Sequence, residues 1–350
     1  MKTIKTMMMA MIAIFFLWSC DTDNDQVSRE TNEQECSTLQ LSFVTTNGQV
    51  TKGFGEQTAT AIEKLVKTAS IYIFDNSTGG SFVFKYTLSQ PEINQINTQD
   101  IIFKVPGLKK LSQYNCAVII NQNNLPNFPT QNDLINFSIS DIPAYNGRWV
   151  EVNDAVSVPK RSDGFAMSQI KTFTTDLDAK GKIQVPVIRT SAKLDIETTV
   201  QLVGLSGTYQ VDSIKVMNTQ ANTSLIPQPG SLISQRGTLS FVQASNHATT
   251  PTERYQNRFY IFENGAFANH GDRVNLRIYG TYTLDGVKSP IVHNSSLATC
   301  SADGSFKRDG AYAVKLNITG LGGTEMDVKI IVCDWTSFCT QVINLDNNDC

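Results

Sequence analysis

Apolar and polar residues alternate over short spans along most of the chain, and turn-forming clusters separate the spans. Leu39, Leu41 and Phe43 make the first stripe of period two. Residues 70–74 (SIYIF) are apolar almost throughout and stop at the turn cluster Asp75-Asn76-Ser77-Thr78-Gly79-Gly80, after which Phe82, Phe84 and Tyr86 alternate again. That is the pattern of a strand, a turn and a returning strand. Further strands are expected at 101–105, 114–121, 183–188, 193–200, 209–217, 239–243, 258–262, 274–282, 312–318, 328–333 and 341–345. Helical periodicity is confined to 59–67 and a short stretch at 131–136. Many short strands with turns between them predict an all-β protein of sandwiches rather than a βαβ sheet. Two β-sandwiches in tandem would use up the length, with a join near 189–192.

The N-terminus has a different pattern. Lys2 and Lys5 precede an unbroken apolar run, residues 7–18. A helix of that length rises about 18 Å, short of a hydrocarbon core of roughly 30 Å. The run therefore reads as the core of a signal peptide, residues 1–19, rather than a membrane span. It closes in Leu17-Trp18-Ser19-Cys20, which resembles a bacterial lipobox. Cleavage between Ser19 and Cys20 would leave Cys20 as the new N-terminus, carrying a diacylglycerol. The plain alternative is ordinary signal cleavage beside an incidental cysteine. Behind Cys20, Asp21, Asp23, Asp25, Glu30, Glu33 and Glu35 mark an acidic, apolar-poor tether.

Composition then excludes classes of function. The 350 residues carry 29 Lys and Arg against 32 Asp and Glu, a formal charge of −3. Losing the leader with its two lysines would make this −5. No basic field favours nucleic acid. Three histidines, His247, His270 and His293, leave little for a metal site or a catalytic triad. Of seven cysteines, six remain once Cys20 is lipidated. They include no CxxC, and their pairing is not readable from spacing. No nucleophile elbow, phosphate loop, dinucleotide fingerprint or HExxH occurs. No enzyme is expected, and neither a metal nor a cofactor.

Three stretches together resemble the fimbrillin family of Bacteroidales, the subunits of type V pili. The first is Thr51-Lys52-Gly53-Phe54-Gly55, Ala61-Ile62-Glu63-Lys64-Leu65 and Ile71-Tyr72-Ile73-Phe74-Asp75. The second is Phe165-Ala166-Met167-Ser168, followed by Val185-Pro186-Val187-Ile188-Arg189 and Ala192-Lys193-Leu194. The third is Tyr312-Ala313-Val314, then Val328, Ile330, Val332 and Asp334-Trp335 before a last strand.

The resemblance implies two transthyretin-like Greek-key sandwiches, exported as an outer-membrane lipoprotein and built into a fimbrium that supports adhesion. It implies 20–52 as lipidated tether and removable first strand, 53–190 as the N-terminal sandwich, and 191–350 as the C-terminal sandwich with a donor tail. A trypsin-like maturation protease would cut between Lys52 and Gly53. Loss of Leu39, Leu41 and Phe43 would open an apolar groove for a strand from another copy or a related pilus subunit. The cut departs from the family's usual arginine, since Arg29 is the only arginine ahead of Arg148. Cys339, Gln341, Ile343 and Leu345 would form the inserted face of the donor tail. An anchor or accessory subunit would instead keep its lipid and first strand. A third reading is a monomeric surface lipoprotein that binds glycan or protein, with aromatic residues on the loop at 145–149. Arg189 and Lys193 match the family motif, and their expected role is structural.

Overall fold

The computed structural model describes residues 36–45, 61–95, 100–146, 164–228, 238–248, 255–264, 273–297, 305–322, 326–334 and 342–345. Between Glu35 and Cys350 they hold together as one compact unit.

A seven-stranded sheet forms first. It contains β1 (Cys36–Thr45), β2 (Ala69–Asp75), β3 (Phe82–Thr87), β4 (Ile101–Pro106), β5 (Gln113–Ile120), β7 (Met167–Thr174) and β8 (Gly181–Arg189), in the order β3-β2-β5-β7-β8-β1-β4. The sheet curls until its two outer strands meet: Tyr86 of β3 stacks on Phe103 of β4 with ring centroids 4.6 Å apart. Alternation explains the curl, because every second residue points into one enclosed core. Ile101, Phe103 and Val105 of β4 are buried while Ile102 and Lys104 face out. Leu39, Leu41, Ile71, Ile73, Val118 and Val185 fill the same core.

The chain leaves β8 at Arg189 and enters β9 (Ser191–Val200) after Thr190 alone. The remaining long strands are β10 (Thr208–Gln220), β12 (Thr238–Ala248), β13 (Tyr255–Phe262), β14 (Asn275–Leu284), β15 (Val287–Ser296), β16 (Gly310–Ile318), β17 (Met326–Asp334) and β18 (Val342–Leu345). They build a four-stranded sheet, β12-β10-β14-β15, and a five-stranded sheet, β13-β9-β16-β17-β18. Leu194, Ile196, Val211, Ile214, Ile278, Val314 and Leu316 are among the buried residues between the two. The architecture is thus an all-β sandwich, as the period-two pattern implies.

A third cluster explains the strands that read as continuous apolar runs. Tyr72 and Phe74 of β2, Ala117 and Ile119 of β5, Tyr260 and Phe262 of β13, and Ala311 and Ala313 of β16 pack together. These strands bury both faces, one in a sheet's own core and one against the other half, so strict alternation disappears. Short helices α3 (Gln131–Ile135) and α4 (Ile142–Tyr145) close this region. Thr130 caps α3 by accepting from the Asp133 N–H, and the Asp133 side chain accepts from the Thr130 N–H. A two-stranded ribbon, β6 (Ser138–Ile139) with β11 (Thr223–Ser224), lies alongside.

The helix expected over 59–67 is limited to α1 (Ala61–Lys64) among the described residues. Residues 65–68 beyond it carry no regular structure, and Asn121 accepts from the Lys67 N–H at 2.7 Å. Helices α2 (Gln90–Gln95) and α4 and strands β6, β7, β11 and β15 were not expected. β15 carries polar or exposed residues at most positions, and Pro290 interrupts its pattern, as suits a sheet edge.

Candidate functional site: the slot of the first strand

β1 lies inside the seven-stranded sheet, not at its edge. On one side it pairs antiparallel with β4, Leu39 opposite Phe103 and Leu41 opposite Ile101. On the other it pairs parallel with β8, Leu39 opposite Gly181, Leu41 opposite Ile183 and Phe43 opposite Val185. The Leu39 and Leu41 side chains are 0% exposed. Gly181 makes room for the first: a Cβ there would stand 2.8 Å from Leu39 Cδ1 and 2.7 Å from the Phe173 ring. The main chain of β1 thus satisfies donors and acceptors of two neighbours, and its leucines plug the core between them. Taking β1 away would leave β4 and β8 as two open edges around an apolar trough.

The outward residues of β1 are also held. Gln40 Nε2 and Ser42 Oγ each donate to the Asp100 carboxylate, both at 2.5 Å. Lys182 of β8 stands 4.0 Å from the same carboxylate. Ser42 and then Gln40 keep the Asp100 carboxyl below the usual carboxylate value.

A second feature is a charged cluster inside the molecule. Glu63 of α1 and Lys193 of β9 are both 0% exposed and face each other at 3.4 Å. Tyr260 donates to Glu63 Oε1 at 2.7 Å, and Arg258 Nη1 lies 3.7 Å from that oxygen. Arg258 also forks onto Asp195, at 2.5 and 2.7 Å. Arg189 donates to the Glu63 carbonyl at 3.0 Å and to Asp309 at 2.7 Å. Burial drives Lys193 down to about 8, against the pull of Glu63. Burial and then Glu63 push the Tyr260 hydroxyl well above its ordinary value. Asp195 holds the Arg258 charge in place against burial. The cluster pins the short helix that follows the β1 segment onto the five-stranded sheet. It also supplies the partners of Arg189 and Lys193.

The expected site residues divide three ways. Leu39 and Leu41 line the slot, and Phe43 is placed by its backbone register. Ile343 and Leu345 lie in β18, paired with β17 at the edge of the five-stranded sheet, Ile343 opposite Ile330 and Leu345 opposite Val328. Ser19, Cys20, Lys52, Gly53, Cys339 and Gln341 lie outside the described residues. Asp100 carried no sequence signal of its own. Glu63 looked like one more polar residue of an amphipathic turn. The aromatic surface loop at 145–149 loses its first member: Tyr145 is buried and stacks on Phe165 at 4.2 Å. Among the described residues, no group of three His, Cys, Asp or Glu is placed to hold a metal ion.

The chain belongs to the family of fimbrillin-A associated anchor proteins Mfa1 and Mfa2, whose model matches residues 32–337. The fold is shared with a candidate cell adhesion protein of Bacteroides eggerthii, at 14% identity over 86% of this chain and 96% of that one, TM-score 0.59. It is shared with a fimbrilin of Porphyromonas gingivalis, at 11% identity over 87% and 99%, TM-score 0.54. A fimbrial assembly protein of Parabacteroides distasonis matches at 15% identity over 89% and 100%, TM-score 0.53. No curated protein sequence matches. The family and these relatives are fimbrial and adhesion proteins, and membership implies a cell-surface, fimbrial location and association with other fimbrial subunits.

Proposed function

We propose that this protein is a pilus subunit, exported as a lipoprotein on Cys20, and that the slot filled by β1 is its assembly site. The observation that carries the reading is the interior position of β1, with Leu39 and Leu41 as its plugs. A trypsin-like cut after Lys52 would release β1, and a strand from a neighbouring subunit would take its place. Repetition head to tail makes a filament. Ile343 and Leu345 are the donor candidates in this chain, supplied when β18 leaves its sheet edge.

A second reading is favoured by a specific observation. Arg29 is the only arginine ahead of β1, and a cut there leaves β1 seated. The matching family is also described by anchor proteins. On this reading the subunit keeps its lipid and its first strand and fixes the pilus to the outer membrane. The test is the intact mass and N-terminal sequence of protein released from the cell surface. A start at Gly53 in an SDS-resistant ladder supports the polymerising subunit. A lipidated start at Cys20 without a ladder supports the anchor and rules out the first reading.

A further inference from the structure

We infer that Asp100 selects which strand the β1 slot accepts: the occupant must place a hydrogen-bond donor at each of two outward positions, and a carboxylate at the second is turned away. The inference rests on the assembly-site reading and adds the chemistry of the partner to it. Hydrophobic plugs give such a slot affinity but little discrimination, because many strands alternate aliphatic residues. The outer face of the slot is where one strand differs from another. There the present occupant offers Gln40 and Ser42, and both donate to one carboxylate at 2.5 Å. Ser42 extends the antiparallel register directly opposite Asp100, since Leu41 pairs with Ile101. On the other flank Gln40 sits beside Lys182 and Ser42 beside Gln184.

The two outward positions are therefore not equivalent. An acidic residue in place of Gln40 would have Lys182 as a neighbour. An acidic residue in place of Ser42 would meet the Asp100 carboxylate with no cation across from it. The accepted motif is aliphatic, amide or hydroxyl, aliphatic, hydroxyl or other donor, as in Leu39-Gln40-Leu41-Ser42. The C-terminal segment of this chain reads Ile343-Asn344-Leu345-Asp346. It matches at the first three positions. In the register that seats its two aliphatics where Leu39 and Leu41 sit, its fourth residue sets carboxylate against carboxylate. The slot thus favours a strand from a different subunit over a second copy of this chain.

The experiment offers labelled strand peptides to the full-length protein. One peptide carries residues 36–45 with Cys36 replaced by serine, and a second adds Ser42→Asp. A third carries residues 338–347, and a fourth adds Asp346→Ser. Exchange is measured in the wild type, in Leu41→Ala to loosen β1, and in each background with Asp100→Asn. The expected result is about two- to fivefold weaker capture of the Ser42→Asp peptide, the scale of one solvent-exposed charge contact. Asp346→Ser should improve the tail peptide by a similar factor, and Asp100→Asn should erase both differences. Equal capture of the 36–45 peptides, or a difference that survives Asp100→Asn, overturns the role of Asp100 and leaves the assembly-site reading standing. No exchange of any peptide, even in Leu41→Ala nicked after Lys52, overturns both. Stability measurements on intact Ser42→Asp, Asp100→Asn and the double variant check the contact itself. The loss caused by Ser42→Asp should largely disappear with Asp100→Asn, and simple additivity refutes the contact.

Discussion

Lys193 is a lysine whose charge is set against its surroundings, and its removal has a consequence that can be worked out. The ammonium is wholly enclosed, faces Glu63 at 3.4 Å and titrates at about 8 rather than at the ordinary 10.5. Between those values the unfolded chain binds a proton that the folded chain has released. The Lys193 contribution to stability must then rise with pH across the window from about 8 to 10.5, by up to ~1.4 kcal/mol per pH unit for one proton. Over the full window the gain is on the order of 3 kcal/mol. Tyr260 works the other way above pH 10, because its hydroxyl is held protonated in the fold. Cys116, whose buried thiol is pushed up to about 12, works the same way above about 9. The clean interval is therefore pH 8 to 9. Lys193→Met keeps the length and bulk of the side chain and removes the proton. Its stability, by denaturant unfolding at several pH values, should lack the upward slope seen in the wild type. Glu63→Ala should behave differently. It leaves Lys193 and Arg258 enclosed with one anion fewer, at a cost of about 3–5 kcal/mol near neutral pH. A flat wild-type profile between pH 8 and 9, or the same slope in Lys193→Met, would refute the reasoning.

Three further outcomes can be checked. Leu39→Ala and Leu41→Ala each remove a fully buried side chain from β1 and should cost about 2–5 kcal/mol of unfolding free energy in the intact chain; a cost below 1 kcal/mol for both would show that they do not plug a core. Gly181→Ala drives a methyl into Leu39 and Phe173 and should destabilise by about 1–3 kcal/mol, more in the wild type than in Leu39→Ala, where only the Phe173 ring stands in the way. Cys116 is buried with its thiol pushed up to about 12, so alkylation at neutral pH should wait for unfolding; rapid labelling in native buffer counts against its burial.

The residues themselves show which parts of the fold could be read in advance. Period two located β1, β4 and β8 because each of these strands has one face in a core and one in water, as with Ile101, Phe103 and Val105 against Ile102 and Lys104. The hairpin of β2 and β3 was readable from its turn cluster, where Asp75 accepts from the Ser77 and Ser81 N–H groups. Thr130 and Asp133 gave the start of α3 a chemical signature. Neighbours in space were not readable. Nothing in Leu39-Gln40-Leu41 says that β1 sits between β8 and β4, because one partner lies about 60 residues away and the other about 140. The closing of the sheet by Tyr86 on Phe103, and the meeting of Glu63 with Lys193, are likewise long-range events. β15 escaped notice because an exposed edge strand has no buried face to impose a pattern.

The placement of β1 and α1 explains how a subunit could lose the first and keep its shape. β1 is held by two plugged leucines, its ladders to β4 and β8, and the bonds from Gln40 and Ser42 to Asp100. All of these can be supplied by any strand of the right pattern, so nothing binds the slot to its own chain. α1 is held quite differently. Glu63 takes its partners from β9 and β13, and its carbonyl accepts from Arg189 at the end of β8. These contacts are specific in geometry and closed to water, and no incoming strand can replace them. The two elements are separated by residues 46–60, which contain Lys52. On the proposed reading, a break in that interval would divide an exchangeable element from a fixed one, and the charge cluster would mark where the permanent body of the subunit begins. In Glu63→Gln the break should loosen residues 61–68 as well as β1, whereas in the wild type protection from hydrogen exchange should resume at α1. Equal protection of 61–68 in both nicked proteins would show that α1 is held by packing alone.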